Sequence, residues 1–553
     1  MPSENRPHKQ SDNLPAAGYK NMLIKNARIG AQSVDLRIGH TVQAIARQLE
    51  ATPDETVLDA RGGELLPGLR DHHMHLFAAA AAHESVDCNV GAGTLSQCRE
   101  LLAARLHQAS GSDWIRGVDY QEQQVGELDR WRLDELCPSR PVRIQHRSGK
   151  VWVCNSLALQ ELGFKDGDGI EGLETDGGGA LTGRIVRNDS LLAERMRRAK
   201  ANRPPDIAAY SRLLASYGIV GITDTSASNS QATVEDFRRL SASGNLLQQV
   251  SLMGGDDLDS GYLKILLDED SLPDLADLIR RINLARHRGR NVAFHCVTHV
   301  ELVFALAALA EAVPREQGFD RIEHGGVVDD EIARRLADLG LPVITQPGFL
   351  FSKGDQYLTD LTGSELGNLY RFAGLQRLGV CVVASSDAPY GPVNPWQVIA
   401  SAATRRTRGG EMLGGDEQVT AEEALRGYLT PSNGLNQNVS FAQARVIKVG
   451  MPADLCILQG TWSLRRGCGG RVRGQSHPNW WLCSVRQRAG PLVWKTEYAF
   501  GDDVLLNLIG TAINRHRAVT QPAASGFQFI SGKIVACPNK ARGTAQPRLE
   551  FRA

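Results

Sequence analysis

The sequence predicts an α/β protein: a (β/α)8 TIM-like barrel with a small β-sandwich domain built from both ends of the chain and an inserted cap after the first barrel strand. Three observations carry this prediction. From Leu65 onward, short apolar runs alternate with longer amphipathic segments, the rhythm of successive βα units. Eight such runs can be counted, the number that closes a barrel. The chain has 553 residues, 42% of them apolar, enough to bury a large core and to form more than one domain.

The elements follow in order. Residues 1–18 are polar and are expected to be disordered. From Tyr19 to Glu64 the runs MLIKNARI, SVDLRI and ETVLDA alternate in the manner of small antiparallel strands, giving the first part of the β-sandwich. The barrel is expected over 65–440. Its strands read ELLPGLRDHHMH, IVGITDTS, LQQVSLMGG, YLKILLD, VAFHCV, RIEHGG, PVITQPGF and VCVVASSDAP. Helices with apolar residues at helical spacing lie between them, among them DLADLIRRINLARHRG, HVELVFALAALAEAV and DDEIARRLADLG. The third and fourth strands are too close for an ordinary parallel crossover, which takes a dozen residues or more, so either the third is misplaced or the barrel is irregular there. The stretch 77–217 holds helices and strands of its own and reads as the inserted cap. Residues 441–458, with RVIKVGMPADLCIL, return to β structure. The remainder, 459–553, is a basic extension with fourteen Lys or Arg against four Asp or Glu.

Composition narrows the function. Lys plus Arg and Asp plus Glu are equal at 62 each, which argues against general nucleic-acid binding; no nucleic-acid partner is expected. No run of eighteen apolar residues is present and the N-terminus lacks the apolar core of a secretory signal, so the expected location is the cytoplasm, with no membrane contact. The ten cysteines show no CxxC spacing and read as buried, reduced thiols. For the tail, clustered arginine with tryptophan suits a nucleic-acid or membrane contact, FQFISGKIVA suits a closing strand of the sandwich, and the shift in composition also suits a frame-shifted terminus.

The chemistry begins at PGLRDHHMHL. Side chains two apart on a strand share a face, so His73 and His75 offer two imidazoles to one metal ion, with His72 turned to the other side. An HxH pair arises by chance about one time in three in a chain with this many histidines. His295, His324 and Asp387 supply the context, because each falls at the C-terminal end of a barrel strand, where barrel enzymes place their chemistry. Imidazole and carboxylate are the ligands of a catalytic zinc, and Asp387 is the candidate proton acceptor. His299 is expected to begin the following helix, and the pair Arg405–Arg406 to be a solvated or salt-bridged face.

Taken together, LIKNARI, PGLRDHHMH, VAFHCV, RIEHGG, TQPGF and SSDAPYGPVNPWQVIASAATRRT, in this order, resemble the amidohydrolase superfamily, and within it the YtcJ-like branch that includes N-substituted formamide deformylases (amidohydrolase family 3). The resemblance runs from about Leu23 to Leu458. It implies a metal site of His73, His75, Lys264, His295, His324 and Asp387 holding one or two divalent ions, most plausibly Zn2+, with Asp387 also shuttling protons. By the same resemblance Lys264 would be N6-carboxylated to bridge two metals, although the family's DGS after it is here Asp268-Glu269-Asp270. A snorkelling or salt-bridged lysine is the alternative there, and a helix-capping aspartate is the alternative for Asp387. In QHRSGKVWVCN, His146, Trp152 and Asn155 are the candidates for substrate contact; Lys150 stands where the family has a histidine, and a plain structural hairpin is the competing reading. The implied activity is hydrolysis of an amide or formamide C–N bond in a small molecule. An ester or lactone bond, or a non-catalytic barrel scaffold, is the alternative, and a homo-oligomer is compatible with all three.

Overall fold

A computed structural model describes residues 21–91, 93–109, 114–201, 204–315, 318–432, 444–459, 480–487, 491–493 and 496–498. The N-terminal segment 1–18 and most of the basic extension, FQFISGKIVA included, lie outside them.

At the centre is a parallel eight-stranded sheet: β1 (Leu69–Met74), β2 (Ile219–Asp224), β3 (Gln249–Gly254), β4 (Tyr262–Leu266), β5 (Val292–Cys296), β6 (Arg321–His324), β7 (Val343–Thr345) and β8 (Val382–Ala384), paired in chain order. The last strand returns to the first. The Asp387 N–H donates to the His73 carbonyl and the His75 N–H to the Ala388 carbonyl, both at 2.8 Å, which closes the barrel beside the residues that matter most. These strands are buried on both faces, which is why VAF, VIT and VVA read as unbroken apolar runs rather than alternating ones.

The helices start where capping residues place them. Asp274, Thr298, Asp329 and Thr420 each accept a backbone N–H at a helix N-terminus, and Thr298 and Thr420 complete capping boxes with Glu301 and Glu423. His299 is the first residue of its helix, as expected. Arg405 departs from the solvated face expected of it. It is fully buried and donates to the carbonyls of Leu413, Tyr370 and Leu369, whereas Arg406 remains exposed. A guanidinium buried on backbone carbonyls keeps its hydrogen bonds without a counter-ion.

The crowded connection is a real irregularity, and β3 is in place. It pairs with β4 only at its end, Met253 opposite Tyr262 and Gly254 opposite Leu263. With the end of one strand beside the start of the next, the connection need not run back along the barrel, and no helix forms in it. Arg290, buried, holds this corner through the carbonyls of Gly254, Gly255, Gly261 and Tyr262 at 3.0–3.3 Å.

The expected first strand divides in two at Gly68. Glu64–Pro67 pairs antiparallel with Leu455–Gln459 in a separate mixed sheet of nine strands, drawn from residues 22–67 and 455–498. A side chain at Gly68 would collide with Val220, its Cβ lying 2.5 Å from a Val220 methyl, so the crossing from sheet to barrel needs a glycine. Trp480–Gln487 extends this sheet from Leu455–Gln459, so part of the basic extension belongs to it.

Between β1 and β2, residues 86–186 build a six-stranded sheet with an apolar cluster on each face. The flanking helices Leu76–His83 and Ile207–Ser216 pack into the barrel core instead. Among the described residues, no helix is long and apolar enough to cross a membrane. The seven cysteines with described side chains are buried thiols.

Candidate metal centre

His73 and His75 lie on the same face of β1 and its end, and Asp387 comes back over them from the turn after β8. Each ring is anchored by one nitrogen. His73 Nδ1 meets a Glu323 carboxylate oxygen at 2.5 Å, and His75 Nδ1 meets the Ser226 hydroxyl at 2.9 Å. The free Nε2 atoms converge on one oxygen, Asp387 Oδ1, at 3.3 Å from His73 and 3.4 Å from His75. That oxygen is buried with no hydrogen-bond partner among the described residues.

This spacing is informative. Ligand atoms about 2.1 Å from a tetrahedral zinc are about 3.4 Å from one another. Two imidazole nitrogens at that separation from one carboxylate oxygen, all three atoms within 4.8 Å of one another and the rings' other nitrogens tied down, fit a metal ion. The orphaned Asp387 oxygen fits the same reading, since a buried carboxylate oxygen without a donor is costly unless a cation meets it.

The other expected ligands gather behind. The His324 ring lies 4.8 Å from that of His73 and 4.4 Å from that of His295, centroid to centroid. His324 Nδ1 is held by Gln346 Oε1 at 2.8 Å and lies 3.9 Å from Asp387 Oδ2. The Lys264 ammonium is buried without a hydrogen-bond partner among the described residues, amid the charges of Glu323, Arg321 and Asp387. Both His324 and Asp387 adopt left-handed backbone, with φ of 73° and 51°, uncommon for residues with a side chain and concentrated at functional sites. At His324 this breaks the strand alternation, so that Glu323 and His324 both serve the same interior.

The electrostatics favour a cation here. Burial favours the neutral acid at Asp387, yet the surrounding His73, His75 and His324 hold its carboxyl well below the usual range. Burial and the neighbouring His295 and His73 push His324 well below an ordinary histidine, and burial with Lys264 pushes His295 down to about 4. Both are therefore neutral near pH 7, the form that ligates metal. At His73, burial and Lys264 oppose the charged ring, but Asp387 and Glu323 outweigh them and raise it. A ring with a carboxylate at either nitrogen sits in a field that attracts positive charge.

Several residues that sequence reasoning passed over complete the site. Glu323 accepts two hydrogen bonds from Arg321, whose guanidinium also donates to the His72 carbonyl at 2.8 Å. The signal was present, since Glu323 directly precedes His324 in RIEH. Ser226, Gln346 and Tyr390, whose ring lies 5.8 Å from that of His75, likewise follow strand ends. The helix-cap alternative for Asp387 fails because Asn394 caps that helix.

The three candidates in the insertion are held by partners of their own. His146 bonds Glu122 at 2.6 Å and Ser148 at 2.8 Å. The guanidiniums of Arg116 and Arg143 lie 5.3 and 5.1 Å from the centroid of the Trp152 ring, and Trp152 donates to Asp189 at 2.7 Å. Asn155 is fully occupied in the fold: it accepts from Val142 and Ala158 and donates to the carbonyls of Cys137 and Arg140.

Comparison with known proteins shows the family of this chain. The model of the amidohydrolase family matches residues 56–464. An N-substituted formamide deformylase from Arthrobacter pascens is 28% identical over 509 residues, covering 79% of this chain and 92% of the relative. The putative amidohydrolase YtcJ of Bacillus subtilis (strain 168) is 24% identical over 474 residues, covering 74% and 86%. Among solved structures, an uncharacterized metal-dependent hydrolase from Pyrococcus horikoshii OT3 has a TM-score of 0.60 at 22% identity, covering 79% of this chain and 97% of that one. Its counterpart from Pyrococcus furiosus scores 0.58 at 20% identity, covering 79% and 98%.

Proposed function

Because this chain belongs to the amidohydrolase family and is a hydrolase of carbon–nitrogen bonds other than peptide bonds, we propose that it cleaves the amide bond of a small N-substituted formamide or a close analogue. The observation that carries the metal-dependent part is the convergence of His73 Nε2 and His75 Nε2 on Asp387 Oδ1 at 3.3 and 3.4 Å. His73, His75 and Asp387 would hold the ion, with His295 and His324 beside them; Zn2+ suits this nitrogen and oxygen donor set. A divalent cation there supplies Lewis acidity, polarising a carbonyl and lowering the pKa of water.

The chain's own residues do the rest. Glu323, fixed by Arg321, accepts a hydrogen bond from the protonated Nδ1 of His73 and so leaves Nε2 free to ligate. Ser226 does the same for His75. Asp387, ionised at neutral pH by its histidine neighbours, accepts the proton of the attacking water at a carboxylate oxygen and returns it to the leaving nitrogen. Lys264, buried and without a hydrogen-bond partner among the described residues, is the residue we propose to be N6-carboxylated where a second ion is held. The sheet shared by both ends of the chain would act as a β-sandwich support, and the insertion at 86–186 as a cap that keeps water from the substrate.

The test is product analysis on the zinc-loaded protein. A matched N-substituted formamide, the corresponding acetamide and a formate ester of similar size are supplied, and formate, acetate, amine and alcohol are measured. Release of formate and amine from the formamide, ahead of the ester, is expected. Turnover of the ester alone would overturn the assignment of the bond.

A further inference from the structure

Lys353 lies on the helix Gly348–Asp360 that follows β7, and nothing in the mechanism above uses it. Its ammonium sits 3.9 Å from the centroid of the Phe349 ring. Phe349 in turn abuts the turn that Asp387 opens: Gly391 donates its N–H to the Asp387 carbonyl, and a side chain at Gly391 would come within 2.9 Å of the Phe349 ring. Lys353 is half-buried, and among the described residues it makes no hydrogen bond and no ion pair. The charges that act on it are Asp387, Asp119 and Arg147.

None of the three neutralises it. Asp387 is committed to the three histidines around it. Asp119 accepts from Asn89 at 2.9 Å and forms no ion pair with the lysine. Arg147, the residue after the insertion strand Val142–His146, is a second cation in the same condition: half-buried, in no ion pair among the described residues, with its Nε buried and unpartnered. Tyr357, one helical turn beyond Lys353, feels both Asp387 and Arg147, so barrel helix, insertion and metal centre face one another here.

Glu122, on whose carboxyl Arg147 acts, is bonded to His146 at 2.6 Å, so two half-buried cations face one another with no ion pair of their own among the described residues. An anion joining them relieves that arrangement, of which an aromatic face alone offsets only a small part. Resting on the amide-hydrolase reading above, we propose that Lys353 and Arg147 receive a carboxylate carried by the non-reacting part of the substrate, which makes the substrates N-formyl or N-acyl compounds bearing a negative charge. A guanidinium reads a carboxylate through two parallel N–H donors, and the ammonium adds a point charge on the barrel side.

Two measurements test this on the full-length, zinc-loaded protein. The first is the ratio of kcat/KM for N-formyl-phenylalanine over its uncharged amide, in the wild type, Lys353→Met, Lys353→Arg and Arg147→Ala. The wild type is expected to favour the acid at least tenfold. Lys353→Met should lower that ratio about 10- to 100-fold, mainly through KM, with Arg147→Ala lowering it less and Lys353→Arg restoring part of it, as charge-assisted hydrogen bonds are of that size. A ratio that stays constant across all four proteins would overturn the proposal. The second is calorimetric binding of phenylacetate against phenylacetamide, which needs no turnover. If neither formyl compound is hydrolysed, the amide reading fails and binding alone decides: a preference for the acid lost in Lys353→Met upholds the anion pocket, and equal binding in both proteins overturns it.

Discussion

His73 is tied at one nitrogen and presents the other. The carboxylate of Glu323 at Nδ1 fixes which nitrogen carries the proton, and Nε2 is thereby aimed at the same point as that of His75. Glu323→Gln keeps the shape but loses the charge, and metal affinity in a competitive zinc titration should fall about 10- to 100-fold. Asp387→Asn should lower kcat roughly 10²- to 10⁴-fold, the range for losing a general base, read as formate release. His72, on the opposite face of β1, is pushed down to about 3 by burial and by Arg321 and Arg70. Its folded pKa lies below that of the unfolded chain, so its contribution is present above about pH 6.5 and is lost as pH falls toward 3. His72→Asn should accordingly show a shallower fall in urea midpoint between pH 7 and 5 than the wild type. At this scale strand periodicity put His73 and His75 two apart on one face, and their Nε2 atoms do meet Asp387 Oδ1, which the sequence placed only at the end of the last barrel strand. It left Glu323 unread because a carboxylate one residue before a ligand belongs to the opposite face unless the backbone turns, and the left-handed φ at His324 is not written in composition. Asn155 is the converse case, its polar atoms taken up by the loop and helix end it joins.

The corner between β3 and β4 shows what elements can and do not announce. The strands were readable from their apolar runs, and the short spacing between them correctly signalled an irregularity. Its solution was not readable, because it depends on the lateral offset of two strands and on Arg290 arriving from just before β5. Replacing Arg290 with Met leaves four carbonyls without their donor, and unfolding in urea should show a loss of about 2–4 kcal/mol. A change below about 0.5 kcal/mol would mean that solvent replaces the arginine there. The same kind of non-local partner explains Arg405, whose three carbonyls come from segments up to 36 residues away. In the primary sequence it is one half of an arginine pair.

Across the whole molecule, the barrel brings β1, β4, β5, β6 and the turn after β8 to one end, and the histidines, Lys264 and Asp387 arrive there together. An order of segments along the chain was enough to foresee that gathering, since parallel βα units deliver every strand end to one face. The split at Gly68 and the sharing of one sheet by residues 22–67 and 455–498 depend on contacts between distant parts of the chain. An ion bound only by the folded chain stabilises it by about 2.7 kcal/mol at a hundredfold excess over its Kd, so chelation should lower the melting temperature reversibly, and zinc should restore it. We propose that His73, His75 and Asp387 hold a metal ion on which hydrolysis depends. Titration of chelator-treated protein with zinc, following bound metal and formate release together, tests it most directly. The wild type should take up one or two ions per chain with activity rising in step, and His73→Ala/His75→Ala should lose both; equal zinc uptake in the two proteins, or activity independent of bound zinc, would contradict it.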